Sequence, residues 1–424
     1  MDTPLMPSLS THRPWRTGPF ALTLLTMLAL SGCGSTVSLD TPPASAPTRP
    51  SMAVATSSAI ASDVAPPANA AAATSTEAPQ VRPMAAPSIE AQPLSRPDAP
   101  SGYATRADAE ALATELAERQ GLDRAWVWSV LSQARYQDSV PRLMMPPPTP
   151  TAKNWAAYRS RFIEPRRIQA GVQFWREHRD DLQRAETTYG VPTHIIVGVI
   201  GVETFYGRHM GRYRVLDALM TLTLDFPKGR SDRSAFFKSE LGAFLLMCKE
   251  QGLSPTEVTG SFAGAMGWPQ FMPSSARTLA VDFDGDRRVD LIGSPTDAIG
   301  SVARYLAHHG WQSGQATYFR VTPPSDTTSL EKLLAPDILP SFTAEQMQAR
   351  GASLSASGQA HTGPLALVQL HNAGNAPTYV AGTANFYAIT RYNQSSYYAL
   401  AVAQLGEAIS QEVRRQNGAT SSAR

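Results

Sequence analysis

The stretch that most limits what this chain can fold into runs from Ile195 to Gly207. Ile195, Ile196, Val197, Val199, Ile200 and Val202, with two glycines among them, lead without a break to one acid, Glu203, and Phe205 and Tyr206 follow it. Such a run must be buried, and a carboxylate carried in with it loses its hydration. Desolvation disfavours the ionised form and raises the pKa. A carboxyl group that keeps its proton near neutrality is what a general acid requires. A buried helix that ends at a surface glutamate is the plainer reading, and this stretch alone does not decide between them. Its Val and Ile content would also suit a buried strand. Its length and the flanking Gly190, Pro192 and Gly207 argue for a helix.

At 424 residues the chain has material for more than one domain, and a formal charge of +2 gives no sign of a polyanionic partner, so nucleic acid is not expected. Residues 1–33 read as a targeting segment: Arg13 and Arg16, an apolar stretch from Phe20 to Leu30, then Leu30-Ser31-Gly32-Cys33. The last four resemble the bacterial lipobox, whose Cys becomes the lipidated first residue; the alternative is an ordinary secretory signal. Gly34 after it favours the outer membrane, hence a periplasmic protein anchored through Cys33 to that membrane's inner leaflet. Residues 34–101 are Ala, Pro, Ser and Thr with almost no aromatics. They are expected to be a disordered linker with a reach of roughly 200 Å when extended. Of the two cysteines, Cys248 then remains alone in an apolar helix-like run, as a core residue.

From about residue 102 the composition is globular. Helix-like patterns cover 107–120, 126–134, 155–163, 172–189, 216–224, 235–249, 298–308 and 396–415, the last followed by a disordered tail at 416–424. Residues 318–321, 366–370 and 386–389 look like short strands, which predicts a small antiparallel lobe at about 313–392.

A second informative stretch is 260–275. Its glycines allow close backbone approach to a ligand. Trp268 and Phe271 offer flat faces for sugar rings, and Ser261 and Gln270 offer neutral groups for hydroxyls and amides. A glycine-rich loop entering a core helix is the competing reading. A third stretch, Asp282-Phe283-Asp284-Gly285-Asp286-Arg287-Arg288-Val289-Asp290, places acids at positions 1, 3, 5 and 9 of an EF-hand-like loop. Arg287 stands at position 6 instead of Gly, and Gly293 at position 12 instead of Glu. A solvated turn balanced by its arginines is the alternative.

Taken together, Gly201-Val202-Glu203-Thr204, Gly264-Ala265-Met266-Gly267 with Gln270-Phe271-Met272-Pro273, the stretch 213–224, and 386–393 resemble the lytic murein transglycosylase B family. The resemblance runs from about 103 to 414. It implies an α+β, mainly α fold: a lysozyme-like core at about 170–312, a helical N-terminal part, the β-rich lobe and the C-terminal helix, all within one lytic transglycosylase domain at 102–415. It implies cleavage of peptidoglycan between N-acetylmuramic acid and N-acetylglucosamine, in cell-wall turnover, with the muramic acid's own 6-hydroxyl as nucleophile and a 1,6-anhydro end as product. Glu203 would act as acid and then base. Tyr158, Ser261, Gln270, Tyr305, Tyr392, Asn393 and Tyr398 would line the substrate site, and Trp268 would stack on a sugar where another member carries Tyr. The basic loop at 228–230 is less regular than the family's. The family's metal loop is closed by a later Asp, here Asp297, so the implied ligands are Asp282, Asp284, Asp286, the Arg288 carbonyl and Asp297. No cofactor is expected for the chemistry, only a structural Ca2+. Asp217 is expected to be structural, and Glu240 to lie on a solvated helix face. Expected partners are peptidoglycan strands, the membrane through the anchor, and cell-wall synthesis proteins. Two other functions remain open at this level: a hydrolytic muramidase, which needs a second carboxylate to hold water, and a non-catalytic wall-binding protein.

Overall fold

The computed structural model describes residues 102–145, 153–229 and 231–422. The expected targeting segment, Cys33 and the linker at 34–101 lie outside the described residues, as does Arg230 of the basic loop.

The helical N-terminal part comprises α1 (Ala107–Gln120), α2 (Arg124–Leu131), α3 (Ser139–Met144) and α4 (Trp155–Phe162). Its boundaries are set by local chemistry. Gly121 closes α1 in the left-handed region (φ 64°), and Asp123 and Asn154 cap α2 and α4 by accepting from Trp126 N and Ala157 N. Next come α5 (Pro165–Glu177) and α6 (Arg179–Tyr189), where the sequence pattern suggested one helix. The break falls at His178 (φ −114°, ψ 30°), outside helical geometry.

The apolar stretch is indeed helical: α7 (Thr193–Thr204) is buried along nearly its whole length. A two-residue strand β1 (Tyr213–Arg214) leads into α8 (Val215–Leu224) and α9 (Ser234–Gln251). Strand β2 (Thr259–Gly260), helix α10 (Pro273–Leu279) and helix α11 (Pro295–His308) complete the central body. Cys248 is fully buried on α9, where burial pushes its thiol up to about 12, as befits a core residue.

The lobe then builds β3 (Tyr318–Thr322), α12 (Thr327–Leu334), α13 (Ala344–Gln348), β4 (Ser353–Leu354), α14 (Ala356–Gln359), β5 (Ala366–Asn372) and β6 (Asn375–Gly382). Its four strands form an antiparallel sheet in the order β4-β3-β6-β5. Alternation along β5 serves two cores at once. Ala366, Val368 and Leu370 face the main core, and Leu367 faces a smaller one with Phe319, Leu333, Met347 and Leu354. One expected strand is wrong. Residues 386–389 lie in a helix, α15 (Ala384–Thr390), whose cap Thr383 accepts from Asn385 N and Phe386 N. A run of four residues could not distinguish the two periods, and the cap decided it.

The chain ends in α16 (Ser396–Ser422), which passes the expected end at 415 and stays helical through most of the expected tail. Helix α16 packs directly on α7. A Cβ at Gly198 would lie 2.4 Å from the Val402 carbonyl oxygen, and one at Gly406 would lie 2.1 Å from the His194 carbonyl oxygen. Only glycine permits this backbone-to-backbone approach. It carries the N-terminal turn of α16 to the C-terminal turn of α7, where Glu203 sits. The whole is α+β and mainly helical, as expected.

Candidate active site

Glu203 occupies the last turn of α7 and is 1% exposed. Its Oε1 accepts a 2.6 Å hydrogen bond from the Tyr398 hydroxyl on α16, and its Oε2 is buried with no partner among the described residues. Burial pushes the carboxyl up to about 8, against a smaller pull downward from the Tyr398 hydroxyl. The acid is therefore protonated at neutral pH. An oxygen left unpartnered in such a place is rare in folded proteins unless something else is meant to meet it.

Around it stands a cluster of tyrosines. Tyr158 on α4, Tyr305 on α11, Tyr392 and Tyr398 are all close enough for the charge of Glu203 to raise their hydroxyl pKa values, although burial is the larger cause in each case. Tyr305 and Tyr392 have ring centroids 4.6 Å apart, and Tyr392 stacks near Tyr398 at 6.3 Å. Two hydroxyls are anchored on backbone: Tyr305 donates to Arg391 O at 2.7 Å, and Tyr392 to Pro269 O at 3.0 Å. Asn393, next in the chain, is buried with its Oδ1 unpartnered, a second orphan acceptor beside the cluster.

The glycine-rich stretch 260–271 is a tight double-back, with bridges Gly260 to Met266 and Met266 to Phe271. Ser261 Oγ accepts from Ala263 N (3.3 Å) and Ala265 N (3.0 Å), and Gln270 Nε2 donates to Met210 O (3.1 Å) and Gly267 O (2.9 Å). Both side chains hold the loop's shape. Trp268 is wedged in place: Nε1 donates to Ile292 O at 3.0 Å and its ring lies 5.8 Å from Phe174. Gly267 takes φ 68°, and a Cβ there would fall 2.2 Å from Leu291 O. Thr204, beside the acid, donates to Trp268 O at 3.0 Å and so ties α7 to this loop.

Two contributors escaped sequence reasoning. Glu240, expected on a solvated face, is 4% exposed. Its two oxygens accept from Ser274 N (2.9 Å) and Ser274 Oγ (2.7 Å) at the start of α10. The partner lies 34 residues away, so no local pattern could reveal it. Arg167 is buried under α7, donating through Nη1 to Gly201 O, with its guanidinium 4.4 Å from the Phe205 ring centroid. Phe205 and Tyr206 follow in left-handed geometry (φ 51° and 56°), a costly conformation for aromatic residues and one found disproportionately at functional sites.

The acids that follow Glu203 most closely along the chain are taken up elsewhere. Asp217 accepts from Arg135 N (3.0 Å) and Gln137 Nε2 (3.1 Å), confirming it as structural. Asp225 binds Arg106 and the Tyr103 hydroxyl at 2.7–2.9 Å.

In the Asp-rich loop, oxygens of Asp282, Asp284 and Asp286 come within 4.8 Å of one another. This set of hard oxygen donors, half-buried at Asp282 and exposed at Asp284 and Asp286, fits a cation such as Ca2+. Asp297 is separate from that trio: it is 1% exposed and accepts from Phe283 N (2.7 Å), Asp284 N (3.3 Å) and Asp290 N (2.8 Å). Here it staples the loop to α11. Arg288 donates its backbone N to Asp286 Oδ1 at 2.8 Å.

The family model for the transglycosylase SLT domain matches residues 104–407. The chain belongs to that family. It is 40% identical over 321 residues to the membrane-bound lytic murein transglycosylase B of Escherichia coli, covering 72% of this chain and 84% of the relative. Among solved structures it is similar to the lytic transglycosylase SltB1 of Pseudomonas aeruginosa: TM-score 0.67, 39% identity, 73% of this chain and 99% of that one. It is likewise similar to the Escherichia coli lytic transglycosylase Slt35 in complex with calcium: TM-score 0.65, 40% identity, 74% of this chain and 96% of that one. The chain is thus an enzyme, a lytic transglycosylase of lysozyme-like fold.

Proposed function

We propose that this transglycosylase cleaves the bond between N-acetylmuramic acid and N-acetylglucosamine in peptidoglycan, with Glu203 as its acid and base. The observation that carries the assignment is the buried carboxyl with one oxygen tied to Tyr398 and the other without a described partner, in surroundings whose desolvation favours the protonated form. In the first half-reaction the Glu203 proton passes to the glycosidic oxygen as the bond from that oxygen to C1 of muramic acid breaks. The ionised Glu203 then takes the proton of the muramic acid 6-hydroxyl as its oxygen bonds to C1. One proton leaves and one returns, no water is consumed, and a 1,6-anhydro end remains. Tyr398 holds the carboxyl in one orientation, which directs Oε2 at the substrate. Tyr158, Tyr305, Tyr392, Asn393, Ser261, Gln270 and Trp268 shape the site around it.

A hydrolytic muramidase is disfavoured, since the acids that follow Glu203 most closely along the chain are already engaged. Asp217, Asp225 and Glu240 have no free role as a water-holding base. A pure binding role gains nothing from a protonated acid beside the scissile bond.

Around this chemistry we place the enzyme in the periplasm, in cell-wall turnover, anchored through Cys33 to the inner leaflet of the outer membrane and reaching the wall across residues 34–101, with cell-wall synthesis proteins as partners. The Asp-rich loop would hold Ca2+ through Asp282, Asp284 and Asp286, with Arg288 and Asp297 completing or bracing it; the ion would supply loop stability and no step of the reaction. Among the described residues no helix is long and apolar enough to cross a membrane.

Digestion of purified sacculi followed by mass spectrometry tests the reaction. Fragments should end in 1,6-anhydromuramic acid. Ordinary reducing ends, heavier by one water, would assign the enzyme to the hydrolases instead.

A further inference from the structure

Three successive residues just past the acid take left-handed backbone: Phe205 (φ 51°), Tyr206 (φ 56°) and Gly207 (φ 79°). Only the last is a glycine, and the other two are strained there. The turn changes what surrounds Glu203. Had α7 run on, residues 206 and 207 would stand over the face of residue 203, three and four positions ahead of it. Instead the Tyr206 side chain passes between two helices. A Cβ at Gly171 on α5 would lie 2.5 Å from its hydroxyl oxygen, and one at Gly201 on α7 would lie 2.3 Å from it. Gly207 backs onto the Trp268 ring, 2.7 Å from where its own Cβ would be. The next residues of the chain are thereby led away from the acid.

Arg167 stands under this turn. It is 8% exposed, it donates through Nη1 to the Gly201 carbonyl, and its guanidinium lies over the Phe205 ring at 4.4 Å. Residues 167, 171 and 174 share one face of α5, and the Phe174 ring lies 5.4 Å from that of Tyr206. A buried guanidinium is costly without a partner. Here the partner is a carbonyl at a helix C-terminus, where the macrodipole favours a cation. One planar group makes both contacts at once, a donor in its plane and an aromatic ring against its face, which a compact ammonium does less well. Burial lowers the pKa of Arg167, against the charges of Tyr206 and Glu164; burial raises that of Glu203, against the Tyr398 hydroxyl. The two groups answer to different neighbours, and the route between them is the backbone from Gly201 to Phe205.

We propose that Arg167 is a positioning residue for the reaction: by holding the Gly201 carbonyl and the Phe205 ring together, it fixes the left-handed turn and with it the aim of the Glu203 carboxyl. The proposal rests on Glu203 being the acid and base, as read above. Buried beneath α7, Arg167 acts on the rate through the acid and not through substrate binding, so it should govern kcat and leave KM alone. A displacement of about 1 Å at the acid is enough to lower the rate about a hundredfold.

The test uses the full chain and murein strands. Arg167→Met keeps much of the side chain's length and removes its donors and charge; kcat should fall about thirtyfold or more, with KM within about threefold. Arg167→Lys keeps a cation and a donor for the Gly201 carbonyl, and should bring kcat back to within about threefold of wild type. Because removing a buried arginine can weaken the fold, a second variant stands beside it. Phe205→Gly accepts φ 51° without strain and should stay folded, but it lacks the ring that Arg167 holds, and its kcat should fall about tenfold with KM again unchanged. In a Glu203→Gln background, which cannot turn over, adding Arg167→Met should leave the affinity for strands as it was. Full activity in a folded Arg167→Met or in Phe205→Gly would overturn the proposal. So would a loss carried by KM, a loss that only tracks the folded fraction in thermal melts, or a lysine no better than the methionine. If Glu203→Gln itself stayed active, the reading of the acid would fail and this proposal with it; with Glu203→Gln inactive and Arg167→Met active, the role of Arg167 alone would fail.

Discussion

Two buried glutamates, Glu203 at the end of α7 and Glu240 in the middle of α9, differ little in burial and greatly in partners. Burial raises the pKa of both. Both oxygens of Glu240 are met by Ser274, and the result is a brace: a tertiary cap for α10, which has no side-chain cap of its own. Glu203 has one oxygen met by Tyr398 and one met by nothing. A buried carboxyl is therefore not in itself a mark of chemistry. The mark is a buried carboxyl whose hydrogen-bonding capacity is left incomplete.

The comparison breaks most sharply under paired substitutions to glutamine. Glu203→Gln keeps the shape and the Tyr398 contact but carries no proton to donate, and activity should fall about a thousandfold or more. Glu240→Gln should leave turnover within about threefold and cost about 1–2 kcal/mol of stability, as a hydrogen-bond acceptor at α10 becomes a donor. Stability should separate them again. Free in an unfolded chain, the Glu203 carboxyl ionises near 4.5; folded, it holds its proton to about 8. Below 4.5 both states are protonated and nothing is lost. As pH rises from 4.5 to 8 the unfolded state gains by ionising first, so the fold loses a few kcal/mol, and above 8 the loss stays constant. Glu203→Gln removes that loss. Thermal melts should show it overtaking wild type across this window, an inactive protein more stable than the active one. If Glu240→Gln were the inactive variant, the roles assigned here would be reversed.

A subtler discrimination uses the partners instead of the acids. The Tyr398 hydroxyl favours the ionised form of Glu203. Tyr398→Phe should move that pKa further up, so the alkaline limb of the pH–rate profile shifts to higher pH even as the rate at neutrality drops about 10–100-fold from lost orientation. Ser274→Ala removes a comparable bond from Glu240 and should leave the limb where it was. A loss of rate in Tyr398→Phe with no movement of the limb would reduce Tyr398 to packing.

These contrasts also explain what could be read in advance. Residues 195–207 pointed to a buried helix because an apolar run is a local property, but that stretch alone does not decide whether the acid at its end is buried or at the surface. The EF-hand-like spacing was equally visible. The engagement of Glu240 was not, because Ser274 reaches it only after the chain has folded back through the glycine-rich loop. Nor was the meeting of Glu203 with Tyr398, 195 residues apart. The resemblance placed both in one site, but composition and periodicity could not. The physical cause, Gly198 and Gly406 letting α7 and α16 touch, is legible only once the two helices are known to be neighbours. Residues 386–389 failed for the opposite reason: a local signal was present in the Thr383 cap, yet the run was too short for its period to be read.

Asp297 supplies a third buried carboxylate and the smallest expected effect. Like Glu240 it has both oxygens met, here by three backbone N–H groups of the Asp-rich loop, so it should behave as a brace. Its loop leaves the oxygens of Asp282, Asp284 and Asp286 clustered, and a bound Ca2+ would stabilise the fold by mass action alone. Melting in millimolar Ca2+ should come a few degrees above melting in chelator, worth about 1–2 kcal/mol in a domain of this size, with kcat on murein unchanged. Asp297→Asn puts an amide donor among those N–H groups and should shrink the Ca2+ shift while leaving the pH–rate profile alone. Trp268 links this loop to the site through the Leu291 and Ile292 carbonyls, so a Ca2+-dependent KM would show that the brace reaches the substrate. A Ca2+-dependent alkaline limb would be more serious, because it would mean that Glu203 is not insulated from the loop's charge and that its incomplete partnering is not what sets it apart from Glu240.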